Sequence, residues 1–203
     1  MIYSGLDWSG SPGREHGPQL TFAIVHIKDS DVPGMDAELA ATRRRLQLAP
    51  DYVFAHHRSG TKTQREFFTG IRHIPLTGHV YMLDKAEWAA RQIGKPAGPD
   101  CLCDGIVTLV SRCPDDVVAR NVLYIDLPPE EERSIERFRT EIRRALRAAR
   151  PRRSGFKNVR PCPDHRLQGG IIQIADMIAG ESREHGGLLG PHLPGLGSRL
   201  RLV

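Results

Sequence analysis

Ile2-Tyr3-Ser4-Gly5-Leu6-Asp7-Trp8-Ser9-Gly10-Ser11-Pro12-Gly13 is the stretch on which the architecture turns. Residues 2–8 are compact and β-prone, and they end at Asp7 to Gly13 in a dense turn signal. Leu20 to Ile27, with Phe22, Ile24 and Val25, reads as a second strand. The turn-rich connection predicts an antiparallel hairpin with a long loop.

Beyond the hairpin, strands alternate with helices. Residues 35–48 carry Met35, Leu39, Leu46 and Ala49 at helical intervals, with acids early and Arg43-Arg44-Arg45 late. Asp51 to Ala55 reads as a short strand, Thr63 to Ile71 as a helix and Leu76 to Leu83 as a strand. Helices are predicted over Lys85 to Gln92 and Leu102 to Ser111, on either side of the breaker run Gly94 to Pro99. Asn121 to Ile125 is a β-branched run stopping at Asp126. Glu130 to Ala149 is an amphipathic helix with Ile135, Phe138, Ile142 and Leu146 on one stripe. A brief strand at Phe156 to Val159 precedes a last helix from about Gln168 to Glu184. This order predicts an α/β domain with a mixed sheet and flanking helices over residues 1–185. Residues 186–203 form a Gly, Pro and Leu tail without a period, compatible with packing on the body or with a homo-oligomer.

The chain has 203 residues, 39% hydrophobic and 26% charged, which suits one globular domain and excludes disordered and collagen-like classes. No run approaches the ~20 apolar residues of a membrane span. Neither a basic leader nor a long apolar run opens the sequence, so the expectation is a cytoplasmic protein with no membrane partner. Cys101, Cys103, Cys113 and Cys162 match no zinc-ribbon or finger spacing and read as small thiols in a reducing compartment.

Basic residues outnumber acidic ones by 29 to 24, and their clustering is more telling than the excess. Arg133 to Arg160 holds eleven basic and two acidic residues. Arg139, Arg143, Arg147 and Arg150 recur at helical steps opposite the apolar stripe. Such a stripe is either a solvated helix face or a surface that tracks phosphates. With only Phe138 and Phe156 nearby for stacking, any nucleic-acid recognition here is not sequence-specific.

Three acids fall where catalytic acids tend to fall, and a fourth lies close by in sequence. Asp7 and Asp126 end strands, at the sheet edge where clefts open in α/β folds. Asp176 lies among Ile171, Ile172, Ile174, Met177 and Ile178, where a carboxylate is costly unless paired or metal-bound. Asp164 sits in a tight Pro-Asp-His turn just before that helix. Each also has an ordinary reading as a cap or a buried ion-pair member. His56-His57-Arg58-Ser59-Gly60-Thr61-Lys62 is a second polar loop whose histidines suit metal binding or acid catalysis, or simple solvation.

Asp7-x-Ser9-Gly10 after the first strand, with Ile172-Gln173-Ile174-Ala175-Asp176-Met177-Ile178-Ala179-Gly180 in the last helix, resembles the family catalogued as domain of unknown function 3800. Asp126 after a strand and Asp164 before the final motif fit the same order, and the likeness spans about residues 1–185. The resemblance implies a ribonuclease H-like fold and a metal-dependent nuclease or transposase-related role. This chain departs from it at Trp8, where the family often carries a second acid. Glu66, Asp84 and Glu87 are conceivable replacements.

Phosphodiester cleavage needs an activated water and a way to absorb charge on the leaving oxygen. Two Mg²⁺ or Mn²⁺ ions ~4 Å apart supply both, held by carboxylate oxygens. The expectation is that Asp7, Asp126, Asp164 and Asp176 are catalytic metal ligands, with Gln173 orienting a carboxylate. Ser9 and Gly10 would approach a phosphate closely, and Arg58, Lys62, Arg143 and Arg147 would grip the nucleic acid. Two other readings stay open: a catalytically inactive nucleic-acid- or protein-binding module of the same fold, and a hydrolase of small phosphorylated molecules.

Overall fold

The computed structural model describes residues 1–11, 17–93, 101–118, 121–126, 140, 143–144, 147–148, 158–161, 169–188 and 190–203. Its centre is a six-stranded sheet of β1 (Ile2–Ser9), β2 (Gln19–Lys28), β3 (Thr77–Asp84), β4 (Val122–Ile125), β5 (Asn158–Pro161) and β6 (Leu200–Leu202). The order across the sheet is β5-β4-β1-β2-β3-β6. The predicted hairpin is present: β1 and β2 pair antiparallel, with Leu6 opposite Ile24. β2 and β3 are also antiparallel, whereas β1 with β4, β4 with β5 and β3 with β6 are parallel.

Alternation along the strands sends apolar side chains to both faces, so both must be covered. Ala23, Val25, Ile27 and Val80 face one core, closed by α1 (Val32–Arg45), α2 (Thr61–Ile71) and α6 (Gly169–Glu184). Leu6, Leu20, Phe22 and Ile24 face the other, closed chiefly by α4 (Cys101–Arg112). The short α3 (Lys85–Gln92) and α5 (Asp115–Val118) flank α4 in sequence. Among the described residues no helix is long and apolar enough to cross a membrane.

α6 lies unusually close to β1. A Cβ at Gly5 would sit 2.8 Å from the Ile171 backbone, so only glycine admits this approach. At the other end, a Cβ at Gly10 would meet Arg183 Nε at 3.3 Å and Gln19 O at 2.8 Å. Gly5 near Ile171 and Gly10 near Arg183 fix the direction of α6, which runs in the same sense as β1.

The structure shifts several expected boundaries and removes one element. α1 spans 32–45 rather than 35–48. Pro33 opens it, and Gln47, at φ 56°, closes it, with Leu48 N–H donating to Arg43 O at 2.9 Å. Asp51 to Ala55 is not a strand, because amides in this stretch and just beyond it bond side chains of α6 instead of a neighbouring strand. β5 is described over Asn158–Pro161, and positions 156 and 157 of the expected strand lie outside the described residues. Most of the predicted helix at Glu130 to Ala149 lies outside the described residues, though positions 143, 144, 147 and 148 are helical.

The segment 186–203 is not an appendage. Leu193, Leu196 and Leu200 are buried in the α6-side core, and β6 adds a parallel strand to β3. The apolar tail therefore packs on its own body.

Gly5→Ala is expected to lower stability by about 1–3 kcal/mol, the cost of overpacking a closed core. Urea unfolding of the two proteins checks this.

Candidate active site

The parallel register of β1 and β4 sets up the cleft. Leu6 pairs with Ile125, and Asp126 N–H donates to Leu6 O at 3.2 Å. Asp7 and Asp126 are therefore the next residues along two adjacent strands, ~4.8 Å apart in the hydrogen-bonding direction. Asp7 shares the parity of Tyr3 and Gly5, which places it on the face covered by α6. It is only 7% exposed, and its Oδ1 accepts Trp8 N–H at 2.6 Å.

Asp176 arrives from α6. The same helix pins the segment between α1 and α2 with two side chains. Gln173 Oε1 accepts Phe54 N–H at 3.1 Å and Arg43 Nη2–H at 3.3 Å, and Asp176 Oδ2 accepts His56 N–H at 2.7 Å. Gly180 lets the His56 ring rest on the helix, since a Cβ there would collide with it. Around it, the His56 Nε2 lies 3.6 Å from Glu181 Oε2 and its Nδ1 3.6 Å from Glu184 Oε1. Gln64 Nε2 also approaches His56 Nε2, at 3.3 Å.

These elements enclose a cleft of about 430 Å³ lined by Asp7, Asp126 and Asp176, with Ser9 and Gly10 on one wall and Arg58 and Arg183 among the cations. Trp8, His57 and Gln173 line it as well. Asp7, Asp126 and Asp176 thus line one cleft with His57 and Arg58 of the histidine loop. The aspartate trio is an open arrangement: among the described residues, its oxygens do not draw together within 4.8 Å of one another.

Other expected residues fall elsewhere. Asp164 lies outside the described residues. Lys62 is exposed in the first turn of α2 and does not line the cleft. Arg143 and Arg147 are exposed and do not line the cleft. Gln173, expected to orient a carboxylate, does line the cleft, and its side-chain oxygen accepts the Phe54 N–H of the loop. The replacements considered for a second acid are accounted for differently. Asp84 caps α3 through Ala86 N and Glu87 N, Glu87 pairs with Arg91, and Glu66 lies near Arg45 and Arg65. Arg183 is the charged lining residue that the sequence does not single out. Its signal is faint: seven residues, two helical turns, after Asp176 on the same helix.

No protein-family model matches this sequence, and no curated protein aligns with it. Solved structures do match in shape. Ribonuclease H2 from Pyrococcus horikoshii OT3 superposes with a TM-score of 0.53 at 17% identity, covering 91% of this chain and 73% of that one. A chain of the PCNA:RNase HII complex from Archaeoglobus fulgidus gives 0.56 at 16%, covering 91% and 74%. A point mutant of Bst-RNase HIII gives 0.50 at 15%, covering 92% and 56%. The fold is ribonuclease H-like. In this ribonuclease H-like domain the cleft opens at the C-terminal ends of the parallel pair β1 and β4, the place where α/β sheets take ligands.

Two outcomes follow from the loop anchors. Gln173→Ala strands the buried Phe54 N–H and is expected to cost about 1–3 kcal/mol, with faster amide exchange at Phe54. Native-state hydrogen exchange reads both. Burial pushes the Glu181 carboxyl up, but the His56 side chain, the His192 amide and the His192 and His185 charges outweigh it and leave it below its ordinary 4.5. A depressed carboxyl stabilises the fold above its unfolded value, and that contribution is lost as pH falls through the folded one. Stability measured by urea unfolding across pH 3–6, about the ordinary carboxylate range, should therefore fall less steeply on acidification in Glu181→Gln than in the native chain.

Proposed function

We propose that this domain is a divalent-metal-dependent nuclease that hydrolyses nucleic-acid phosphodiesters. The observation that supports this most is the meeting of Asp7, Asp126 and Asp176 in one cleft from three separate segments. Three independent caps would have no reason to share a cavity. The fold, shared with ribonucleases H, and the resemblance to domain of unknown function 3800 favour the same reading.

The donor set suits a hard cation. Carboxylate oxygens are what Mg²⁺ and Mn²⁺ take, and Asp7, the most buried of the three acids, shares its cleft with Asp126 and Asp176. Asp7, Asp126 and Asp176, with Asp164 as a further candidate, would hold the ions. When bound, such ions lower the pKa of a coordinated water and neutralise charge on the leaving oxygen.

The remaining residues have work of their own. Arg58 and Arg183 present guanidinium groups whose planar donors match phosphate oxygens. Gly10, at φ 103°, lines the cleft in a backbone conformation that favours glycine, and its missing Cβ leaves room for Gln19 O and the Arg183 side chain. The His57 ring, exposed on the rim, is within the cleft as a proton donor or acceptor. Gln173 and the His56 amide position these groups by fixing the loop. The exposed Arg143 and Arg147 extend the basic surface for a nucleic acid bound without sequence preference.

Trp8 favours the second reading, an inactive nucleic-acid-binding module, because an indole supplies no ligand where a second acid would. The two separate in one experiment. Single- and double-stranded DNA, RNA and hybrid substrates are incubated with the full chain in Mg²⁺ or Mn²⁺. A nuclease cuts at least one of them, and Asp7→Asn or Asp176→Asn reduces the rate by about 100-fold or more while binding persists. Binding without cutting in every case would leave the inactive module. Arg58→Ala and Arg183→Ala are each expected to weaken binding and to reduce its salt dependence by about one phosphate contact.

A further inference from the structure

Across the sheet from the cleft, on the face covered by α4, three side chains from distant segments converge. His26 on β2 and His79 on β3 point into that face beside Cys113, which directly follows α4. One ligand atom from each lies within 4.8 Å of the others, and all three residues are buried. We infer that His26, His79 and Cys113 bind a transition-metal ion of the zinc type, at a site separate from the aspartate cleft.

Unsatisfied nitrogen carries the argument. His26 Nδ1 is engaged with the Ser4 hydroxyl at 2.8 Å, its cross-strand partner. That contact leaves Nε2 facing inward. His26 Nε2 and His79 Nδ1 are both buried without a hydrogen-bond partner, in residues only 3% and 6% exposed. Two bare ring nitrogens in one apolar pocket are costly unless something shared satisfies them. A metal ion does so, and a hydrogen bond on the far ring nitrogen is the usual way such a ligand is oriented.

The chemistry selects the ion. Imidazole ligates a metal in its neutral form. Two imidazoles and a thiol suit Zn²⁺ and its borderline neighbours, not the oxygen-seeking Mg²⁺. The Cys113 thiol donates to Leu109 O at 3.4 Å, a weak bond that metal binding replaces. Cys113 binds as thiolate, its proton passing to solvent as the ion enters. Three protein ligands leave a fourth position for water.

The site ties the end of α4 to β2 and β3, so its occupancy acts on the fold and not on the cleft. Full-length protein is stripped with chelator, then titrated with Zn²⁺ and with Co²⁺ in excess Mg²⁺. The expected result is one ion per chain, a thiolate-to-cobalt charge-transfer band, and a rise in thermal midpoint with Zn²⁺. Cys113→Ser and His79→Gln should each weaken binding by about 10-fold or more and remove or alter the band. Asp7→Asn and Asp176→Asn should leave it intact, which separates this site from the nuclease reading. Circular dichroism of each stripped variant confirms that it is folded, and Cys113→Ala replaces Cys113→Ser if the hydroxyl disrupts packing. No saturable uptake by the native chain, binding without a thiolate band, or loss of binding in the aspartate variants would each overturn the proposal.

Discussion

The contact between α6 and β1 organises the molecule. Gly5 lets the helix backbone come within the reach of a Cβ, and everything built on α6 is registered to β1 through that contact. Asp176 meets the acids at the strand ends because the helix runs in the same sense as the strand. Gln173 and Asp176 then reach outward to take the amides of Phe54 and His56, so one helix positions both an acid and the opposite wall. Burying a helix tightly on a sheet contributes apolar area, but here its direction matters as much as its area.

The strands and helices were largely legible because each depends on local pattern. The apolar run from Leu20 to Ile27 and the apolar segment from Ile171 to Ala179 are signals carried by neighbouring residues alone. The failures come from long-range partners. Asp51 to Ala55 has the composition of a strand and an extended course, yet the amides of Phe54 and His56 find their partners in side chains 119 and 120 residues away. The C-terminal leucines carry no period because they pack from a 3₁₀ turn and a three-residue strand.

The site was legible in its acids and opaque in its arrangement. Asp7, Asp126 and Asp176 stood out by position or by apolar company, and they do share a cleft. That the histidine loop forms the facing wall depends on two side-chain-to-backbone hydrogen bonds that no spacing encodes. His26, His79 and Cys113 illustrate the same limit. Spacing rules for metal sites describe ligands on one short segment, whereas these come from β2, β3 and the end of α4. The two faces of one sheet thus offer different donors: oxygen on the side of α6, nitrogen and sulfur on the side of α4.

The segment from Tyr52 to His56 has no ladder of its own and is held at two amide positions. Its side chains are consequently unconstrained by strand pairing, and Phe54, packed on Phe67, is the one committed to the centre of the core. A wall anchored through its backbone can exchange the groups it shows to a ligand while the acids opposite stay put. The lining of the cleft can therefore drift during evolution without displacing the aspartates on its far side.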